Sequence, residues 1–173
     1  PLRGKVLNVK EASLKQITDN AEISNLKKII GLESGREYES TDRLRYGKIM
    51  IMTDQDHDGS HIKGLVMLIF ETLWPSLLKL NYITSMITPI VKATLKQEVI
   101  CFYNLTDYES WKSSTSNYDK YKLKYYKGLG TSNASEAREY FKTMKLTNYL
   151  CNEKTTEKMN LAFKRDCSNL RKQ

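Results

Sequence analysis

Three aspartates alternate along the segment IMTDQDHDGSHIKG, residues 51–64, where Asp54, Asp56 and Asp58 occupy every second position. Two carboxylates about 4 Å apart repel each other by roughly 4 kcal/mol at an effective dielectric constant of about 20. Protons or a divalent cation must therefore neutralise part of this charge. Magnesium takes one or two carboxylates, keeps several waters and leaves room for phosphate oxygens. The spacing thus indicates a magnesium site that acts on phosphates.

Three other interpretations of the acidic segment stay open. A calcium loop would begin at Asp54 and have its glycine at Gly59, but Leu65 stands where the bidentate glutamate belongs. An aspartate nucleophile of the phosphotransferase type would want a small hydroxyl or β-branched residue at the position of Asp58. A solvated acidic turn without a ligand is the third alternative.

The rest of the chain is basic, with 28 Lys and Arg against 20 Asp and Glu and a net charge of +8. A basic surface favours polyanions such as nucleic acid. Lys63 is expected on the first turn of the helix after the acidic segment, where a helix N-terminus attracts anions. His61 is expected to contact phosphate or cap that helix. His57 and His61 do not form the zinc pattern H-E-x-x-H, because Asp58 takes the place of its glutamate.

Two elements must position the acidic segment. The apolar run 47–52 predicts a central strand of a parallel sheet that helices cover on both faces. The apolar spacing that follows predicts a helix from about Ser60, its N-cap, to Pro75. The acids then lie at the carboxyl end of a parallel strand, where open α/β sheets bind their ligands.

The remaining segments predict an alternation of short helices and strands, joined by a tight glycine turn over 127–131. Strands are predicted over 4–9, 86–94, 98–104 and 120–126. Helices are predicted over 10–32, which Gly31 would cap, 106–114, 135–144 and 152–172.

Composition narrows the class of protein. With 173 residues, 40% of them apolar, the chain is long enough for one domain or one domain with an attached piece. It contains no run of about 18 apolar residues that could span a membrane. Its three cysteines lack zinc spacing and are expected to be free thiols. The chain starts at Pro1 without a methionine and is expected to be a fragment of a longer protein.

Several long motifs, in the right order over most of residues 1–143, closely resemble the Toprim region of type IIA DNA topoisomerases, in its eukaryotic form. They are PLRGKVLNVKEA (1–12), LRYGKIMIMTDQDHDGSHIKGL (44–65), WPSLLK (74–79), ITPIVKAT (87–94) and YYKGLGTS (125–132). The resemblance implies an α/β fold: a Toprim-type, Rossmann-like parallel sheet flanked by helices, with extra C-terminal α+β elements. It assigns 1–94 to a Toprim core that lacks its first strand, and 95–173 to an extension toward a winged-helix domain.

The resemblance also implies a two-metal magnesium site on Asp54, Asp56 and Asp58. In the family, the first of these acids and a glutamate of an E-G-D-S motif hold one metal, and the first two acids hold the second. That motif would precede Pro1, so the metal site is expected to be incomplete here. Arg3 and Lys5 resemble family positions near the cleaved DNA.

Further family positions concern the glycine turn and the nucleophile. Lys127, Gly128 and Gly130 resemble a stretch that couples to the ATPase region. The family's nucleophilic tyrosine lies in another domain and is expected to be absent here. The pair Arg45–Tyr46 belongs to the matched LRYGK motif and is interpreted as structural.

The implied function is that of an ATP-dependent enzyme that passes one DNA duplex through a transient double-strand break in another. The implied partner is double-stranded DNA. The whole enzyme is expected to be a nuclear homodimer, or cytoplasmic if viral, that binds ATP outside this chain, and the chain alone is expected to be inactive. A Toprim nuclease or primase and a non-catalytic module that binds phosphate or calcium are the alternatives.

Overall fold

The computed structural model describes residues 1–126 and 128–172, and it confirms the predicted mixed α/β class. The helices are α1 (Leu14–Asp19), α2 (Ala21–Ile30), α3 (His57–Leu73), α4 (Pro75–Lys79), α5 (Leu105–Ser114), α6 (Ala134–Lys142) and α7 (Thr155–Phe163). The strands are β1 (Ile49–Ile51), β2 (Ile83–Met86), β3 (Val91–Leu95), β4 (Glu98–Phe102), β5 (Lys122–Tyr125) and β6 (Leu146–Asn148).

The chain divides into two compact units by its internal contacts. The first unit comprises Pro1–Ile51, His61–Ser85 and Asn148–Gln173, and the second comprises Met52–Ser60 and Met86–Thr147. Both units are discontinuous in sequence. The predicted division between residues 94 and 95 is a linear one that concerns family regions, and it stays a prediction.

β1 leads into the acidic segment and pairs in parallel, as the apolar run predicts. Among the described residues it is an edge strand of its sheet and only Ile51 in it is buried, so the predicted central position is wrong. β1 pairs with β2 in parallel, with Ile49 opposite Ile83, within a three-stranded sheet of order β1-β2-β6. β2 is buried along its whole length. The core of the first unit includes Ile51 of β1 and the fully buried side chains Leu68, Phe70, Trp74, Leu77, Tyr82 and Ile83.

Local caps and turns override two element predictions near the N-terminus. The predicted strand 4–9 is wrong: the segment is irregular, and Asn8 turns the chain by accepting the Lys10 N–H at its side-chain oxygen (3.1 Å). The predicted single helix 10–32 is two helices, because the Asn20 side chain accepts the Ile23 N–H and starts α2 anew (2.9 Å). Gly31 ends α2 in the left-handed conformation, as predicted.

Two prolines break predicted elements in the expected physical way. α3 ends at Leu73, and α4 begins with Pro75 in its first turn, where the missing N–H has no helical partner. The predicted strand 86–94 is wrong as one element, because β2 ends at Met86 and β3 starts only at Val91. Pro89 lies in the gap and has no N–H to donate to a ladder.

The second unit is built on an antiparallel sheet of order β4-β3-β5. Val91 of β3 faces Phe102 on one side and Tyr125 on the other. Its buried cluster is small, and the rings of Phe102, Tyr108 and Trp111 lie 5.1–6.2 Å apart in it.

In the part of the chain that the structure describes, no helix has the length and apolarity needed to cross a membrane. The three cysteines, Cys101, Cys151 and Cys167, are free thiols, as predicted.

Candidate metal centre

Between β1 and α3 lies a short loop, residues 52–56, that belongs to the second unit. We call it the acidic loop; it carries Asp54 and Asp56, and Asp58 follows on the first turn of α3. Two side chains fix the path of this loop. The Gln55 amide donates from Nε2 to the Met86 carbonyl (3.2 Å), and the Thr53 hydroxyl donates to the Gly59 carbonyl (3.2 Å). Asp54 is half-buried, whereas Asp56 and Asp58 are exposed.

Asp56 caps the helix that follows it. Its Oδ1 accepts the Gly59 N–H (2.7 Å), and its carbonyl accepts the Ser60 N–H (3.0 Å), which is the pattern of an N-cap residue. α3 therefore begins at His57, so the predicted start at Ser60 is wrong. Lys63 consequently lies on the second turn of the helix instead of the first.

Gly59 allows the loop to fold back on itself. A Cβ at this position would lie 2.9 Å from the carbonyl carbon of Asp54 and closer still to its oxygen. Only glycine fits this approach, because the opposing atoms are backbone. The glycine that matched a calcium loop in the sequence is thus explained by packing at the helix start.

Gly128 of the glycine turn lies close to Asp54, which is distant in the sequence but belongs to the same unit. A Cβ on Gly128 would lie 2.6 Å from Oδ1 of Asp54 and closer still to Oδ2. Gly130, two residues on, has open space at the same point. The sequence suggests only a coupling role for these glycines and gives no sign that one of them touches the acidic loop.

Thr131 closes the glycine turn. Its hydroxyl accepts the Gly128 N–H (3.1 Å) and donates to the Gly128 carbonyl (2.7 Å), and its own N–H donates to that carbonyl as well (3.1 Å). The predicted coupling residue Lys127 lies outside the described residues.

Sequence reasoning missed Glu136, which joins the two ends of the glycine turn. Its carboxylate accepts from Lys124 Nζ (2.8 Å to each oxygen), from the Tyr126 hydroxyl (2.6 Å) and from the Asn133 N–H (2.9 Å). Asn133 caps α6 in return by accepting the Glu136 N–H, which completes a capping box. The spacing N-x-x-E at the helix start is the signal that could have indicated this pair.

The charge of Glu136 is stabilised although only 9% of the residue is exposed. Burial by itself would raise the pKa of its carboxyl group, but the bonds from Lys124, Tyr126 and the Asn133 backbone outweigh burial and lower the pKa to about 2. Burial and the bond to this carboxylate raise the pKa of Tyr126 above its usual value. The group is therefore an anion, and the tyrosine a neutral donor.

The basic candidates belong to the first unit. Arg3 and Lys5 are exposed on either side of Gly4, and the Arg3 N–H lies 3.5 Å from Glu22 Oε1. His61 stacks on Phe163, with ring centroids 6.0 Å apart and planes 16° from parallel. Lys63 is half-buried on the same helix, and His57 is exposed.

Tyr46, which is predicted to be structural and not the nucleophile, has a structural contact at its backbone. Its carbonyl accepts the hydroxyl of the fully buried Tyr82 (2.9 Å).

The donor chemistry of the acidic loop fits magnesium in part. Its candidate donors are carboxylate oxygens, which magnesium prefers. Among the described residues, no group of three or more His, Cys, Asp or Glu side chains is arranged to hold a metal ion. One oxygen of Asp56 accepts the capping hydrogen bond, but a carboxylate has about four acceptor sites, so others are left for a metal ion. The loop therefore fits a site with one or two protein carboxylates.

Comparison with protein families and curated proteins gives a consistent result. The model of the family described as the C-terminal associated domain of TOPRIM matches residues 86–173. DNA topoisomerase 2 of Drosophila melanogaster is 58% identical over 147 residues, which are 83% of this chain and 10% of that protein. DNA topoisomerase 2-alpha of Mus musculus is 59% identical over 148 residues, 84% of this chain and 10% of that protein.

A solved structure matches almost the whole chain. It is the crystal structure of the Plasmodium falciparum topoisomerase II DNA-binding, cleavage and re-ligation domain, with a TM-score of 0.91 and 41% identity. The match covers 99% of this chain and 24% of that chain. The chain thus spans about a tenth of the length of these curated relatives and a quarter of that solved domain.

Proposed function

We propose a function from one premise: the chain belongs to the family of C-terminal associated domains of TOPRIM and to the Toprim region of a eukaryotic-type, type IIA DNA topoisomerase II. In the whole protein, this region is the metal-binding part of the core that breaks and rejoins DNA. The enzyme passes one duplex through a transient double-strand break in another, as a nuclear homodimer that uses ATP. The observation that carries the proposal is the identity of 58% over 147 residues with DNA topoisomerase 2.

The aspartates of this chain act as oxygen ligands for magnesium in the proposed mechanism. Asp54 offers a carboxylate that Gly128 approaches closely on one side, and Asp56 offers the acceptor sites that its capping bond does not use. Asp58 adds negative charge on the first turn of α3. If magnesium were held by these carboxylates, it would stabilise the negative charge that develops on the scissile phosphate and the leaving oxygen.

The basic residues position DNA by its phosphates. Arg3, Lys5, Lys63 and His61 are the proposed contacts. Such contacts supply affinity and register without reading bases. The stack on Phe163 fixes the plane of the histidine ring, which limits the directions in which its nitrogens can donate.

The covalent chemistry belongs to other parts of the whole protein. The nucleophilic tyrosine and the ATP site are proposed to lie in domains outside this chain, so this chain alone is inactive in strand passage. The turn of Gly128, Gly130 and Lys127 is proposed to link the metal centre to the ATPase region.

Conservative substitutions in the full-length protein that contains this chain test the proposal. Asp54→Asn and Asp56→Asn should each lower ATP-dependent decatenation by about 100-fold, because even the outer partners of metal ligands are worth about 10–100-fold. The control is Asp119→Asn, at an exposed aspartate of the second unit, which should leave activity unchanged. Full activity in both variants would reject the metal role. Cleaved DNA with free ends, without protein joined to the 5′ end, would indicate a nuclease instead.

A magnesium titration of this chain separates the two roles of Asp56. Asparagine caps a helix about as well as aspartate, whereas alanine loses about 1 kcal/mol of helix stability. Asp56→Asn should therefore keep the thermal stability and weaken magnesium binding measured by calorimetry, and Asp56→Ala should reduce both. Equal magnesium affinity in the wild type and Asp56→Asn would leave this residue as a cap alone.

A further inference from the structure

The buried carboxylate of Glu136 accepts hydrogen bonds from residues on both sides of the glycine turn. Lys124 and Tyr126 precede the turn, Asn133 follows it, and all three donate to this carboxylate at 2.6–2.9 Å. Residue 126 is also fixed to the sheet, because its N–H donates to the Ile90 carbonyl (2.9 Å). The residues just before and just after the glycine turn are therefore hydrogen-bonded to the same side chain, that of Glu136.

We infer that Glu136 is a positioning residue for the metal centre, because it holds Gly128 against the carboxyl group of Asp54 and so sets the orientation of that carboxylate. This inference rests on the proposed function for its consequence in metal binding. Its geometric part concerns only residues of the second unit.

The effect of Glu136 on Asp54 depends on the close approach of the Gly128 backbone, which only a residue without a side chain allows. A Cβ there would overlap the carboxyl group of Asp54, so the backbone of the turn forms a wall on that side of the carboxylate. If the turn moves away, the carboxylate gains rotamers that point away from a metal. Partners that orient a ligand in this way tune metal affinity without touching the metal.

A purely structural role for Glu136 makes a different prediction. As part of the capping box it would stabilise α6 and nothing else. Glutamine at this position keeps a capping box but removes the charge that Lys124 and Tyr126 bind. Glu136→Gln therefore removes the anchor of the turn and preserves the start of the helix.

The matched control lies one turn further along α6. Glu139 pairs with Lys92 at 3.3 Å, and its side chain is 56% exposed. Glu139→Gln removes the same charge from the same helix without touching the glycine turn.

The first experiment needs no metal. In NMR spectra of the 173-residue chain, Glu136→Gln should shift the Gly128 amide signal and the side-chain carboxyl carbon of Asp54, and Glu139→Gln should shift neither. Tyr126→Phe, which removes one donor, should shift both signals by a smaller amount. Unchanged signals in a folded Glu136→Gln variant would overturn the inference.

The second experiment is a magnesium titration of the same variants. Glu136→Gln should raise the half-saturating magnesium concentration by about tenfold, the lower end for residues that orient a ligand. Glu139→Gln should leave it unchanged. An equal midpoint in Glu136→Gln and the wild type would overturn the positioning role. If the 173-residue wild type binds no magnesium, the same titration of the full-length protein decides the metal site of the proposed function, and the metal-free signals still decide the positioning.

Discussion

The two units of this protein are stabilised in different ways. The first has a broad apolar core of aliphatic and aromatic side chains around Trp74 and Phe70. Among the described residues, the buried members of the second unit's apolar cluster are Val91, Ala93, Phe102 and Tyr108, and the unit adds the buried charge of Glu136 with its donors. The acidic loop belongs to the unit with the smaller core.

The two kinds of interaction contribute differently to the stability of a unit and to the orientation of a side chain. Apolar burial is non-directional and roughly proportional to the area removed from water, so it stabilises a unit without fixing one side chain. Hydrogen bonds to a buried carboxylate are directional and depend on each partner. A unit that must hold a carboxylate in one orientation gains more from the second kind of interaction.

The strongest test of the comparison uses the two tryptophans of the chain. Trp74 is 1% exposed and its indole N–H donates to the Glu33 carbonyl (2.7 Å), so Trp74→Ala should lower the free energy of unfolding by about 3–5 kcal/mol. Trp111 is half-buried beside Phe102, and Trp111→Ala should cost about 2 kcal/mol. Urea denaturation measures both. Equal losses would break the proposed contrast between the cores.

The next effect concerns the start of α3. Gly59→Ala places a methyl group against the backbone of Asp54, so the loop must shift, at a cost of about 1–3 kcal/mol. The control is Gly47→Ala, where the added carbon meets nothing within 4 Å and the stability should stay the same or rise slightly. A stable Gly59→Ala variant would show that the loop adapts without loss.

The buried carboxylate should make stability depend on pH. The folded pKa of Glu136 is about 2, below the ordinary value of 4.5, so its contribution is complete above about pH 4.5 and is lost as the pH falls toward 2. Lys124 is 41% exposed, which screens the pair, so we expect about 1–2 kcal/mol. The free energy of unfolding of the wild type minus that of Glu136→Gln should shrink over this range. A difference independent of pH would contradict an ionised anchor.

The smallest effect on stability should come from the glycine turn. Gly128→Ala meets a movable carboxyl group instead of backbone, so we expect a loss below about 1 kcal/mol, together with weaker magnesium binding. Gly130→Ala meets nothing and should change neither property. If both variants behave alike in calorimetric magnesium titration and thermal unfolding, the contact with Asp54 has no role in metal binding.

Much of the site could be predicted from short-range patterns. The apolar run before the acids predicts β1, and the spacing after them predicts α3, because both patterns depend on neighbouring residues. The predicted start of α3 at Ser60 is three residues late because Asp56, predicted only as a ligand, also caps the helix. The strand predicted over 4–9 is wrong because a short apolar segment can fill a core without a partner strand: Val6 and Val9 are buried in an irregular segment.

By itself, the sequence determined the mixed α/β class, the acidic loop after an apolar strand and the resemblance to the Toprim region. These follow from local periodicity and from motifs of contiguous residues. Only the tertiary structure decided that Gly128 meets Asp54, because these residues are distant along the chain. It also decided that Glu136 joins the ends of the turn, because strand β5 and helix α6 must first come together. Glycine leaves no side chain to indicate what it packs against, and a buried glutamate differs from a solvated one only when its donors are in place.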